Sequence, residues 1–326
     1  MIELRQDRLD FSFPEVHQEA RASISLIRTL RIPDDNRHHP LPPGFSSFPL
    51  HHVDDFASRL PADWRRHGGV FFPMYQAEAM WLSFMGSYPM AVSVAAGKVD
   101  AVTGEKFSNE LHSDQNYVVI PDQPWLDGFC VREGLIRQFV AMPLGEGYTA
   151  EEQLTGEAEH GGLQLVVHPM KASRYERLRE APHGVDAPGP LYDLPESRAD
   201  MGLAPGGLMR QEIFEDHYGL DAWDTTARSR CFVHILNSAE YVNATGTRPP
   251  HEPPTAEDYT RAGLPWFEYY DADRKALAGA GKLARLTSVA AKQNAEGNAP
   301  PEGNPPLPGY KVVELGPKRQ VREGRF

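Results

Sequence analysis

The chain has 326 residues, which is enough to bury a sizeable core in one large domain or two smaller ones. Its 45 acidic residues against 33 basic ones give a formal charge of −12, which argues against binding to nucleic acid phosphates or anionic lipid. The chain has no apolar run near the roughly 20 residues that span a bilayer, and its N-terminus lacks the basic start and apolar core of a secretory signal. We therefore expect a soluble, cytoplasmic protein, in which Cys130 and Cys231, lacking metal-ligand spacing, are buried free thiols.

The N-terminal third predicts one clear strand followed by irregular chain. Residues 22–32 alternate apolar and polar side chains, with Ile24, Leu26 and Leu30 on one side, as in a half-buried strand. Residues 33–49 are rich in proline and predict a surface connection. A short helix is expected over 53–64, although Pro61 divides it.

The middle of the chain predicts sheet, with one helix before it. Residues 75–84 are rich in helix formers and predict a helix. Residues 90–102 then predict a hairpin that turns at Gly97 and Lys98. Further strands are expected over the ranges 117–120, 129–132 and 135–142.

The segment 145–171 combines glycines, acidic residues and a strand-like apolar run. Glu151, Glu152 and His160 fall in a stretch of about 18 residues between strand-like runs, which is longer than the usual connection of roughly 4–6. Two interpretations stay open: an acidic surface loop, or a loop whose polar side chains bind a ligand. The run after Gly162 predicts a strand that carries His168 and ends at Pro169.

The C-terminal half is predicted to be less regular. Residues 172–206 carry many prolines and predict an extended excursion, whereas 231–236 predict a strand. Thr255 and Asp258 resemble a capping box, so we expect a helix over 256–262. Another helix is expected over 271–293, weakened by two internal glycines.

The domain organisation follows from the composition near the C-terminus. Residues 294–309 contain closely spaced prolines and glycines and predict a linker, and residues 310–326 form a basic tail. Residues 1–293 are then expected to form a single β-rich globular unit.

One candidate metal site can be assembled from the sequence. In His112-Ser113-Asp114, residues i and i+2 would share a face if the segment were a strand, and His168 could supply a third ligand. Two histidines and one carboxylate hold Fe(II), or another divalent metal, in non-haem oxygenases. The alternative is a solvated loop, because such short patterns arise readily by chance among 13 histidines.

Aromatic and acidic residues form a second candidate site. Trp125 lies between Asp122 and Asp127, and an indole beside carboxylates can stack on a sugar or a cation. Trp266 begins another aromatic run that could line a groove. The alternative is that the indoles pack in the core and the aspartates form turns. The chain contains no G-x-S-x-G elbow and no Walker loop.

Several phrases together resemble a known group of sequences: RTLRIPDD at 28–35, PMYQAEAMW at 73–81, QPWLDGF at 123–129, GEGYTAEEQLTG at 145–156 and GLPWFEYYD at 263–271. They look like a family of uncharacterised, mainly bacterial proteins of about this length. The resemblance spans nearly the whole chain and implies one integrated unit. It implies no activity, cofactor or catalytic residue.

Together these patterns predict a β-rich α+β protein, a sandwich or distorted barrel with peripheral helices. The leading functional hypothesis is a protein that binds a small molecule or a protein partner through polar loops, with Asp122, Trp125, Asp127, Glu151, Glu152, His160 and Trp266 as candidate ligand-binding residues. One alternative is a non-haem iron enzyme that uses His112, Asp114 and His168. The other is a structural or assembly component that recruits a partner through its C-terminal tail.

Overall fold

A computed structural model of the chain describes residues 1–35, 37–179, 201–263, 266–269, 274–297, 307 and 312–315. Its strands are β1 Ile2–Arg5, β2 Arg8–Ser12, β3 Arg21–Thr29, β4 His38–His39, β5 Gly44–Ser47, β6 His51–His52, β7 Val70–Met74, β8 Ala79–Met85, β9 Met90–Ala96, β10 Val99–Asp100, β11 Val118–Ile120, β12 Trp125–Leu126, β13 Gly128–Arg132, β14 Leu135–Pro143, β15 Leu163–Pro169, β16 Met201–Arg210, β17 Ser229–Asn237, β18 Trp266–Tyr269 and β19 Val312–Leu315. Its α-helices are α1 Ala62–His67, α2 Ala150–Thr155, α3 Ala172–Arg179, α4 Ser238–Thr245, α5 Ala256–Ala262, α6 Gly281–Ala284 and α7 Val289–Ala295, with short 3₁₀ turns at Asp54–Phe56 and Leu220–Ala222.

One mostly antiparallel sheet organises the described chain. A continuous antiparallel path runs through β1, β2, β3, β8, β14, β16, β17, β15, β9 and β11. β4 joins β16, and β7 joins β17, in parallel. The sheet is open and the helices are short, so the predicted β-rich α+β class is confirmed.

The core draws on strands from both ends of this path. In β3, for example, burial alternates with period two, so that Ala22, Ile24 and Leu26 lie in the core, as the sequence predicts for this strand. Cys130 and Cys231 are buried and free, also as predicted. Among the described helices, none is long and apolar enough to cross a membrane.

The helix predicted over 75–84 is wrong. Ala77 has φ of 66°, and the chain then runs as β8 between β3 and β14. Met80, Leu82 and Phe84 are buried in alternation, so pairing with two neighbouring strands outweighs the helical propensity of the alanines and Glu78.

Three other expectations are corrected in part. The segment 172–206, predicted to lack regular structure, contains α3 and the start of β16, while residues 180–200 lie outside the described part. The helix expected over 53–64 is a 3₁₀ turn followed by α1. The long helix expected over 271–293 is reduced, within the described residues, to α6 and α7.

The described residues before α6 bond to other segments of the chain, so they are not helical. Ala280 donates its backbone N–H to Cys130 O at 3.0 Å, and Leu277 N donates to Ile213 O at 2.7 Å. Gly279 has φ of 72°, and a Cβ there would lie 2.3 Å from Arg132 Cα, so only glycine allows this close approach.

The C-terminal prediction is tested only where the chain is described. α7 reaches Ala295, so the predicted linker 294–309 begins inside a helix. β19, from the predicted tail 310–326, pairs in parallel with β18 of the same chain. The rest of the tail, on which the assembly hypothesis depends, lies outside the described residues.

Candidate functional site

A cavity of about 390 Å³ lies beside the β9–β10 hairpin, and we call it the Asp100 pocket. Its polar wall contains Asp100, Glu105, Lys106, His112, Asp114 and Asn116. Residues 277–280, of which Ala280 donates its backbone N–H to Cys130 O of β13, form another part of the wall.

Asp100 is buried at this pocket, and its two carboxyl oxygens are treated unequally. Oδ1 accepts hydrogen bonds from the backbone N–H groups of Val102 and Thr103, both at 2.9 Å, and from Thr103 Oγ1 at 3.1 Å. Oδ2 is buried and has no hydrogen-bond partner among the described residues. The position follows from the hairpin: β10 pairs with β9, and the turn to Gly104 closes over the carboxylate.

The surroundings keep the Asp100 carboxyl close to its titration point at neutral pH. Burial raises the pKa of Asp100 to about 7, although the bonds from Val102 and Thr103 favour the ionised form. Burial, together with the charge of Asp100, raises the pKa of the Cys130 thiol to about 12. Cys130 therefore stays protonated at neutral pH.

A loop held by two amide side chains brings His112 and Asp114 to the pocket. Asn116 Oδ1 accepts from His112 N at 2.9 Å, and Asn116 Nδ2 donates to Glu110 O at 3.0 Å. Gln115 Nε2 donates to Tyr117 O and Phe214 O, both at 3.0 Å. His112 and Asp114 themselves are exposed.

A second cavity of about 670 Å³ adjoins the first, and we call it the Lys98 pocket. The two pockets share Glu105 and Lys106 in their walls. The other charged lining residues of the Lys98 pocket are Lys98, Glu157, Lys282 and Arg285. Lys98 Nζ lies 2.5 Å from Glu157 Oε2 and 2.5 Å from Glu159 Oε2, and Lys282 Nζ lies 2.5 Å from Glu105 Oε2.

Glu152, a predicted ligand-binding residue, orders the glycine-rich loop before α2. Its Oε1 accepts from Gly145 N at 2.9 Å and from Gly147 N at 2.6 Å. Its Oε2 accepts from Thr149 N at 3.1 Å, and Thr149 Oγ1 in turn accepts from Glu152 N at 3.2 Å. This is a capping box, which begins α2.

Glu151 anchors the other end of the same loop. It is buried, and its Oε2 accepts from Gly161 N at 2.8 Å and from His160 N at 3.2 Å. Burial raises the pKa of Glu151, which these bonds oppose. A Cβ at Gly97 would lie 2.4 Å from Glu151 Oε2, so the glycine makes room for the carboxylate.

The predicted functional loop 145–162 therefore uses the carboxylates of buried Glu151 and half-buried Glu152 for structure. His160 packs edge-on against His67, with ring centroids 5.0 Å apart, and burial lowers its pKa. The loop still meets a cavity, because Gln153, Leu154 and Thr155 of α2 line the Lys98 pocket with Glu157.

The residues around Trp125 also have partners in the fold. Asp127 and Gln211 form a reciprocal pair: Asp127 N donates to Gln211 Oε1 and Gln211 Nε2 donates to Asp127 Oδ1, both at 3.0 Å. Burial raises the pKa of Asp127 to about 8, which the bond from Gln211 opposes. Asp122 Oδ1 accepts from Arg274 at 2.7 Å.

The two indoles predicted to form a binding surface pack against other rings. Trp125 lies edge-on to Trp81 with ring centroids 6.4 Å apart, and buried Trp266 lies 6.2 Å from Tyr259. Neither indole lines the Asp100 pocket or the Lys98 pocket.

The three predicted metal ligands are not brought together. Asp114 lies in a turn and His112 in the irregular chain before it, so the strand geometry that the metal hypothesis requires is not present there. His168 is buried on β15, with Nδ1 3.3 Å from Asp224 O and Nε2 3.1 Å from Asn109 O. In the part of the chain that the structure describes, no group of three or more His, Cys, Asp or Glu side chains could hold a metal ion.

Sequence reasoning missed the residue that distinguishes this site. Asp100 is followed at 102–104 by the turn-forming residues VTG, and an aspartate that caps such a turn is recognisable from its sequence. The capping box at Thr149 and Glu152 was equally readable. Lys98, Lys106, Lys282 and Arg285 carry no local signal, because they converge only through the fold.

Comparison with known proteins finds no relative of this chain. No protein-family model, no curated protein and no solved structure matches this chain.

Proposed function

We propose that the protein binds a small polar molecule in the Asp100 pocket, and that a small shift of the turn over Asp100 on binding lets this molecule donate a hydrogen bond to Asp100 Oδ2, which has no exposed surface in the free protein. The supporting observation is that Oδ1 accepts three hydrogen bonds whereas buried Oδ2 accepts none from the described residues. A buried polar atom without a partner costs about 1–3 kcal/mol. A ligand that supplies the missing donor removes this cost.

The volume and the walls of the pocket agree with this role. Its volume of about 390 Å³ falls within the range of roughly 300–1,000 Å³ that is usual for small-molecule sites. His112 and Asp114 add exposed polar groups at the wall, so a hydroxyl- or ammonium-bearing molecule finds both donors and acceptors.

The ionisation of Asp100 makes the expected binding depend on pH. The carboxylate accepts hydrogen bonds through both oxygens, whereas the carboxyl form carries a proton on one of them. Because the pKa of Asp100 is about 7, binding of a donor ligand should strengthen as the pH rises through neutrality.

The test uses saturation-transfer NMR with glucose and ethanolamine as probes. We expect transfer from the wild-type protein to at least one probe, and its loss in Asp100→Asn. The asparagine can keep a carbonyl oxygen toward Val102 and Thr103, and it then presents an NH₂ donor where Oδ2 was an acceptor.

The matched control is Asp127→Asn, which changes another buried aspartate that does not line the pocket. This variant should keep the transfer signal. The proposal is overturned if neither probe receives transfer from the wild-type protein, or if the signal is unchanged in Asp100→Asn.

A further inference from the structure

We infer that the ligand also carries an oxyanion, a phosphate or a carboxylate, which occupies the Lys98 pocket while the hydroxyl-bearing part lies at Asp100. The inference deepens the proposed function and rests on it. It concerns the chemical class of the ligand.

The Asp100 pocket and the Lys98 pocket adjoin each other. Glu105 and Lys106 line both of them, so the two cavities lie next to each other at this pair of side chains. The two volumes, about 390 and 670 Å³, leave room for a metabolite with two distinct ends.

The larger cavity, the Lys98 pocket, is lined mostly by positively charged side chains among its charged residues. Its wall contains the four cations Lys98, Lys106, Lys282 and Arg285 and the two carboxylates Glu105 and Glu157, and Glu159 also pairs with Lys98, so four positive and three negative charges leave one net positive charge. The whole chain, by contrast, carries a formal charge of −12. The Lys98 pocket is thus locally positive on an acidic protein, and a locally positive cavity concentrates anions.

Two of the four cations form ion pairs with glutamates, and the other two do not among the described residues. Lys98 is bound by two glutamates and Lys282 by Glu105. Among the described residues, Lys106 and Arg285 form no ion pair, and both are exposed at the wall. An arginine fork and an ammonium group together suit a phosphate or a carboxylate, because both supply charge-assisted donors to its oxygens.

The experiment compares glucose with glucose 6-phosphate by titration calorimetry and saturation-transfer NMR. We expect the phosphate to strengthen binding by roughly tenfold or more at low salt, as charge-assisted hydrogen bonds do. The gain should shrink at physiological salt, because the cations are exposed. Gluconate tests a carboxylate in place of the phosphate, and a gain with either anion supports the inference.

Variants assign the gain to the pocket. Lys106→Gln and Arg285→Gln should each reduce the advantage of glucose 6-phosphate over glucose, and Arg285→Gln, which lines only the Lys98 pocket, should leave glucose binding unchanged. Arg65→Gln removes an exposed arginine on α1 that does not line either pocket, and it should retain the full advantage. Asp100→Asn should weaken both sugars.

Failure of the inference differs from failure of the proposed function. If glucose binds in an Asp100-dependent way but neither anion binds more tightly, the oxyanion inference is wrong and the proposed function stands. An anion advantage that survives in both Lys106→Gln and Arg285→Gln also overturns the inference. If no probe binds the wild-type protein, both proposals fall.

Discussion

Asp100 and Asp127 are two buried aspartates that differ in what surrounds their carboxyl groups. Both are almost inaccessible, at 1% and 3% exposure, and burial raises both pKa values, to about 7 and about 8. Asp127 exchanges hydrogen bonds with Gln211 inside the fold. In Asp100, which lines a pocket, one oxygen accepts hydrogen bonds from its own turn and the other is buried without a partner among the described residues.

Burial and a raised pKa do not by themselves identify a functional carboxyl. The two groups would be ranked alike on burial, although only Asp100 combines an unmet oxygen with adjoining space. Glu151 agrees with this distinction, because it is also buried and has a raised pKa, yet its oxygens bind backbone N–H groups.

The largest expected effect is on the pH dependence of stability. The folded protein holds the Asp100 proton up to about pH 7, whereas the unfolded chain releases it near its ordinary value of 3.8. Between these values the folded state binds more protons, so stability falls as pH rises, by about 1.4 kcal/mol per pH unit for each such group. Asp100→Asn should remove this contribution and be more stable than wild type at pH 8, with the difference vanishing near pH 4.

Urea denaturation at several pH values measures this change. Asp127→Asn should show the same sign, with its slope continuing to about pH 8, the pKa of Asp127. Equal pH profiles for wild type and Asp100→Asn would mean that Asp100 is ionised as easily in the folded protein as in the unfolded chain.

The next largest effect on the free energy of unfolding is expected for the hydrogen bond between Asp127 and Gln211. Asp127→Ala leaves Gln211 Nε2 without its acceptor and should lower the free energy of unfolding by about 1–3 kcal/mol. A double-mutant cycle with Gln211→Ala should reveal positive coupling, because the Gln211 side chain donates to the Asp127 carboxylate. Additive effects of the two substitutions would contradict the pairing.

A smaller effect is expected where a carboxylate anchors backbone near the surface. Glu152→Ala removes the acceptor for Gly145 and Gly147 and breaks the capping box of α2. We expect a loss of about 0.5–2 kcal/mol, as for other helix caps. Hydrogen exchange should quicken at Gly145 N and Gly147 N while β14 stays protected, and unchanged exchange at both glycines would show that Glu152 does not hold the loop.

The smallest effect is expected for the charges at the larger cavity. Lys98→Gln removes contacts to Glu157 and Glu159, whose side chains are about half exposed. Exposed ion pairs contribute about 0–1 kcal/mol, so the free energy of unfolding should hardly change. The change should be smaller still at high salt, which screens exposed charges. A loss well above this range in thermal denaturation would mean that Lys98 supports the fold of the hairpin.

Local patterns predicted the parts of the structure that depend on near neighbours. The alternation of β3 and the hairpin of β9 and β10 were readable because side chains in a strand alternate with period two. α5 was readable from Thr255 and Asp258, whose capping bonds are present at 2.9 and 3.2 Å. The predicted helix at β8 was wrong because its strand pairing partners, β3 and β14, are far away in sequence.

The β-rich class, the buried thiols, the cap of α5 and the negative net charge could all be predicted from the sequence. Each of them depends on composition or on residues that are close together along the chain. The tertiary structure was needed to show that Glu151 and Glu152 are anchors and that Asp100, at a cavity, keeps one buried oxygen without a partner among the described residues. Whether a carboxylate is satisfied depends on which distant N–H groups, cations and empty volumes the fold places around it. Only the folding of the sheet brings Lys106 and Arg285, 179 residues apart, into one wall.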